Sequence, residues 1–227
     1  MEEKLIEYLG GFVTSKRLNI FDNVLRNRTK YITVVLENIY QSQNASAVLR
    51  TCDCFGIQDV YIIENNNKFN INPHVALGSS NWLNIIKYNN PGANTTLAIK
   101  DLKEKGYRII ATSLNKNSIP IDKFDITKDK IAFFFGNELN GLSKEMQNQA
   151  DDFVTIPMFG FTESFNISVS ASIILSGTIS KLRNSQIIWN LSKEEKNEIK
   201  LQWLKNTIKK SDLIVNKFYS EFSPKPS

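Results

Sequence analysis

Four apolar, β-rich runs alternate with helical segments, and this alternation limits the fold more than any other feature of the chain. The runs are "YITVVLEN" (31–38), "DVYIIE" (59–64), "YRIIATSL" (107–114) and "KIAFFFGNE" (130–138). "NWLNIIKY" (81–88) and "DFVTIPM" (152–158) add two further strands. Helices are expected over 44–56, over 94–106 with a Thr/Asn start and a Gly stop, over 143–150 capped by Ser143, and over 166–183. Strands alternating with helices imply an α/β fold with a mainly parallel sheet and helices on both faces. In such sheets ligands bind beyond the carboxyl ends of the strands. Four loops meet that condition: "ENIYQSQN", "TSLNKN", "FGNELNGLS" and "PMFGFTESFN", all rich in Asn, Ser, Gly or Glu.

Both ends of the chain are basic. Segment 16–30 carries Lys16, Arg17, Arg26, Arg28 and Lys30 against the single acid Asp22, and 193–225 carries eight lysines against five acids. That distribution suits a phosphate-rich partner, although a solvated surface would also produce it. From Ser192 onward, apolar residues at Leu204, Ile208, Val215, Phe218 and Phe222 mark an amphipathic helical extension, which must pack on the domain or on a second subunit. The expected organisation is a basic helical arm (1–30), a central domain (31–184) and a C-terminal helical extension (185–227). Neither a signal peptide nor an apolar stretch long enough for a bilayer is visible, so a cytoplasmic protein without membrane contact is expected.

Several chemistries lose ground. No G-x-G-x-x-G follows the first strand, and no glycine loop ends in a Walker lysine. His74 is the single histidine, which disfavours histidine triads and leaves a zinc site short of ligands, so no metal is expected. Cys52 and Cys54 point in different directions from one helix and read as small packing residues. On the same helix Arg50 falls on a polar stripe with Ser46 and Asp53, opposite Ala45, Val48, Cys52 and Phe55. It can be half of a surface ion pair with Asp53 or a functional residue, and helix geometry does not choose between them.

Three segments, taken in order, do bear on that choice. "NIYQSQNASAVLRTCDCFG" has the form N-x5-N-x2-A-x2-R-T-x3-F-G, "FFFGNELNGLS" contains G-N-E-x-x-G-L-S, and "IPMFGFTESFNISVSA" follows I-P-M-x-G-x3-S-x-N-x-S-V-x-A. Together they resemble the three motifs of the SpoU/TrmH branch of the SPOUT RNA methyltransferases, across about residues 33–182. Phe165 stands where many relatives have Leu, and Ser170 where Ala is usual. The resemblance implies a trefoil-knotted SPOUT domain, S-adenosylmethionine as cofactor, tRNA as partner and a homodimer whose site draws on both subunits. "VALGSSNWLNI" and the helical extensions most resemble the members that methylate the ribose 2′-hydroxyl of guanosine 18 in tRNA.

Carried over by position, the resemblance implies a cofactor pocket of Thr112, Leu114, Gly136, Ile156, Met158, Phe165 and Asn166. Its catalytic and structural positions match Asn44, Arg50, Glu138, Ser164 and Asn166. Lys16, Arg17, Arg26, Arg28 and Lys30 would contact RNA. Glu138 and Asn166 also have local explanations, as a cap partner of the 143–150 helix and as a helix N-cap. Other members of the branch act on ribosomal RNA or the tRNA anticodon loop. A catalytically silent RNA-binding protein is a further alternative, against which the intact motif residues argue. An open-sheet small-molecule methyltransferase would need the missing glycine loop.

Overall fold

The computed structural model describes residues 1–114 and 117–222. Asn115 and Lys116 of the "TSLNKN" loop and Lys225 of the basic C-terminal segment lie outside the described residues. The chain divides into two compact units, one of Thr29–Trp189 and one of Met1–Arg28 with Asn190–Ser227.

The larger unit is built on β1 (Ile32–Glu37), in which every residue is buried. Its alternating side chains serve two cores. Val34 and Leu36 pack with Val48 and Cys52 of α3 (Ser42–Phe55) and with Ile174 and Leu175 of α7 (Ile167–Arg183). Val35 faces the other way, toward Ala98 and Leu102 of α5 (Asn94–Glu104) and Met146 of α6 (Lys144–Gln149). A strand that buries both faces has to be apolar throughout, and β1 is, apart from Thr33 and the terminal Glu37. Around it lie β2 (Asp59–Ile63), β3 (Asn84–Tyr88), β4 (Tyr107–Thr112), β5 (Ile119–Pro120), β6 (Lys130–Phe135) and β7 (Asp152–Thr155). The order is β3-β2-β1-β6-β4-β7-β5 and every pairing is parallel.

Helix boundaries follow local chemistry. α3 ends at Gly56, whose φ of 78° gives the left-handed C-cap that a side chain resists. The Ser143 hydroxyl accepts from the Met146 N–H to start α6, and the Asn166 side chain accepts from the Ser168 N–H to start α7, both as expected. Two small elements went unforeseen: α4 (Pro73–Ala76) and the two-residue edge strand β5, each too short to carry a periodicity. The strand expected over 81–88 begins at Asn84, behind a 3-10 turn at Ser79–Asn81.

The smaller unit joins the two ends of the chain. α1 (Glu2–Gly10) and α2 (Ser15–Leu25) pack with α8 (Lys193–Thr207) and α9 (Ser211–Phe222). The C-terminal extension is thus two helices that meet the N-terminal arm within one unit. Trp203 is buried, edge-on to Phe21 at 5.4 Å, and Tyr8 meets Phe218 at 5.2 Å. Lys200 pairs with Asp22 at 2.6 Å and Lys193 with Glu3 at 2.7 Å. Among the described residues no helix is long and apolar enough to cross a membrane, and no group of three or more His, Cys, Asp or Glu side chains is placed to hold a metal ion.

Candidate active site

The parallel pairings bring four carboxyl ends together: Leu36 of β1 lies beside Phe135 of β6, Ala111 of β4 beside Phe134, and Thr112 beside Val154 of β7. The loops that leave these ends enclose a cavity of about 640 Å³, within the range of small-molecule sites. Its wall includes all seven expected cofactor positions, Thr112, Leu114, Gly136, Ile156, Met158, Phe165 and Asn166. Asn44, Glu138 and Ser164 of the expected catalytic set also line it. Thr112 commits its hydroxyl proton to the Phe134 carbonyl at 2.7 Å, which leaves its oxygen as an acceptor.

Three of these residues form one hydrogen-bonded chain. The Glu138 carboxylate accepts from the N–H groups of Tyr40 (3.0 Å) and Gln41 (3.4 Å) and from the Asn44 amide (2.9 Å). The Asn44 carbonyl oxygen accepts from the Asn166 amide at 3.0 Å, while the Asn166 oxygen accepts from the Ser168 N–H at 2.8 Å. Burial alone would push the Glu138 carboxyl up; the Asn44 amide and the Tyr40 and Gln41 N–H groups outweigh it and hold the carboxyl below the usual value. Glu138 therefore supports the entry to α3, whose N-cap residue Gln41 makes no side-chain cap of its own. It does not serve α6, where the local explanation had placed it.

The loop after β6 is tightly folded. Asn137 and Gly141 form an antiparallel bridge, and Gly141 takes a φ of 66°. A Cβ on Gly136 would lie 2.2 Å from the Gly141 carbonyl carbon and 2.3 Å from the Leu142 nitrogen, so no side chain fits there. The Asn137 side chain binds both ways, donating to the Asn38 carbonyl at 2.7 Å and accepting from the Leu139 N–H at 2.8 Å.

Arg50 is exposed on α3 and does not line the cavity. Other expectations need correction. Ser46 is buried and leaves the polar stripe, because α4 packs on α3 and the Asn72 N–H donates to its hydroxyl at 2.9 Å. Cys52 is buried, but Cys54 is exposed and is not a packing residue. Arg28 is only 1% exposed, with its guanidinium 5.4 Å from the Trp203 ring, which removes it from any phosphate-binding surface. Lys16, Arg17 and Arg26 are exposed, and Lys30 is half-buried.

Sequence reasoning also passed over Asn137, Gln147 and Glu37. The first two line the cavity, and Glu37 is a buried carboxylate one residue beyond the Leu36–Phe135 pair. Glu37 had a signal, a charge at the end of an otherwise apolar strand, but that reads equally as the place where a strand comes out into water.

Known proteins share this sequence and fold. A tRNA (guanosine(18)-2′-O)-methyltransferase of Borreliella burgdorferi is 45% identical over 94% of this chain and 95% of its own length. One of Aquifex aeolicus is 37% identical over 75% of this chain and 78% of its own. The crystal structure of the A. aeolicus TrmH/SpoU tRNA modifying enzyme superposes with a TM-score of 0.75 at 33% identity, covering 86% of this chain and 98% of that one. The SpoU rRNA Methylase family model matches residues 31–176, from the start of the sheet into the helix that closes the cavity, and the chain belongs to that family.

Proposed function

We propose that this protein transfers a methyl group from S-adenosylmethionine to the ribose 2′-hydroxyl of guanosine 18 in tRNA. The observation that carries this is the 45% identity along almost the whole chain to a protein named for that reaction, with every expected cofactor position on one cavity wall. The cavity suits the cofactor's chemistry. Leu114, Ile156, Met158, Phe165 and Ile174 offer apolar surface for a nucleoside, and Asn137, Gln147 and Ser164 offer amide and hydroxyl groups for its polar edge. When bound, S-adenosylmethionine supplies a methyl carried on a positively charged sulfur, which is already a good leaving group.

The protein is left to align the 2′-oxygen and manage the hydroxyl proton. Asn166 fixes the start of α7 and, through Asn44, ties it to the Glu138 loop, so the two walls keep their spacing. Arg50 grips an RNA phosphate and stabilises the developing 2′-oxyanion. Because Arg50 is exposed and away from the cavity wall of its own subunit, a second copy supplies it, and the working form is a homodimer. The trefoil threading rests on membership of the family. Lys16, Arg17, Arg26 and Lys30 contact tRNA phosphates, and the protein works in the cytoplasm, where its substrate is made.

Total tRNA and ribosomal RNA transcripts incubated with labelled S-adenosylmethionine test the assignment. Label is expected in tRNA, mapping to the 2′-oxygen of guanosine 18. An Arg50→Ala protein should lose the transfer and keep its cofactor affinity. Methylation of ribosomal RNA instead, or of another tRNA position, would overturn the proposal.

A further inference from the structure

We infer that Glu37 is a positioning residue for the methyl donor, acting through the loop 136–143 without touching the cofactor. The inference rests on the methyl-transfer reading above. Glu37 ends β1 and is 1% exposed, yet its carboxylate faces three donors and, among the described residues, no cation. One oxygen, Oε1, accepts from the Thr95 hydroxyl at 2.7 Å and from the Ser143 hydroxyl at 2.7 Å; the other, Oε2, accepts from the Ser143 N–H at 2.8 Å.

The direction of each bond is fixed by what lies behind it. The Thr95 hydroxyl oxygen already accepts from the Asn65 amide at 2.9 Å, and the Ser143 oxygen from the Met146 N–H at 3.1 Å. Each hydroxyl therefore directs its one proton at Glu37. The next residue, Asn38, has a φ of 53° and extends the network: its side-chain oxygen accepts from the N–H groups of Asn65 and Asn66, and its carbonyl from the Asn137 amide. Glu37 and Asn38 thus hold the loop at both limbs, at Ser143 where it enters α6 and at Asn137 where it leaves β6. Between those anchors stand Leu139 and Leu142 of the cavity wall, with Gly136 just before them. Glu138 clips the same loop from its exposed side, so the buried Glu37 is the anchor that water does not reach.

An all-acceptor group is required at this position. In Glu37→Gln an NH₂ must face either the Ser143 N–H or the two committed hydroxyl protons, and either way donor meets donor in a buried site. The experiment uses the full-length Glu37→Gln protein. Its S-adenosylmethionine dissociation constant, from calorimetry, should rise about tenfold, as loss of a buried charge-assisted bond implies. The KM for the cofactor should rise with it, while kcat at saturating cofactor and tRNA affinity stay at wild-type levels. Without any ligand, amide hydrogen exchange should quicken across 137–142 and not in α7. Ser143→Ala, which keeps the N–H bond, should shift the same quantities by less, and Ser143→Thr should restore them; these variants serve if Glu37→Gln does not fold.

Wild-type cofactor affinity together with wild-type exchange in a folded Glu37→Gln protein would overturn the assignment. So would a kcat that falls as far as KM rises, the mark of a general structural loss. Should the wild-type protein bind no S-adenosylmethionine, the methyl-transfer reading fails, and the exchange arm alone decides whether Glu37 holds the loop.

Discussion

Glu138 lies on an exposed loop, and its carboxylate nevertheless completes the N-terminus of a helix that begins almost a hundred residues earlier. An anion at that end of a helix is favoured by the unpaired N–H groups and by the helix dipole. Those donors hold its carboxyl below the ordinary value, and Glu64 is held down likewise against its burial, by the Phe69 N–H and Lys87. For a group whose folded value is depressed, the stabilisation is present above the unfolded value, about 4.3, and is lost as pH falls through the folded value. Melting temperature should therefore drop as pH is lowered from about 5 to 3, across that same unfolded value. Glu138→Gln should melt lower than wild type at neutral pH and show a shallower acid slope. Parallel melting curves for the two proteins across that range would remove Glu138 from the account.

At the scale of elements, the loop 136–143 carries the site because its two limbs touch. Gly136→Ala places a Cβ 2.2 Å from backbone that belongs to that loop, so Gly141 or β6 must move. Cofactor affinity is expected to fall by at least about tenfold, a loss of about 1.4 kcal/mol, and the melting temperature should fall with it because backbone has to shift. A Gly136→Ala protein that binds S-adenosylmethionine normally would show that the loop's closure does not shape the pocket. The six longer strands and the caps at Ser143 and Asn166 were legible in the sequence, since each depends on neighbours a few residues away. The rest depends on what covers what. Ser46 is buried by a four-residue helix too short to show a pattern, Arg28 is buried under Trp203 from the other end of the chain, and Cys54 is left bare. The break between α8 and α9 falls at Lys210, whose left-handed φ of 57° has no glycine to announce it. Site residues were legible as motif members, but the partner of Glu138 and the role of Glu37 needed the sheet to bring β1 and β6 side by side.

Over the whole molecule, the basic residues of segment 16–30 that looked alike in the sequence fall into different classes. Lys16, Arg17 and Arg26 are exposed on or beside α2, whereas Arg28 sits beneath the surface against an indole face. Only the exposed group can release counterions from an RNA backbone, because a buried guanidinium would have to leave its cation–π contact and its packing to reach a phosphate. Replacing Lys16, Arg17 and Arg26 together by Gln should leave the melting temperature almost unchanged. The slope of log K for tRNA binding against log salt should become shallower, by about 2–3 for three lost phosphate contacts. Arg28→Gln should do the reverse, lowering the melting temperature by loss of a buried contact while the slope holds. If the triple variant keeps the wild-type slope, tRNA docks on another face. If Arg28→Gln changes the slope as much as the triple variant does, then burial has not separated structural from RNA-facing charge.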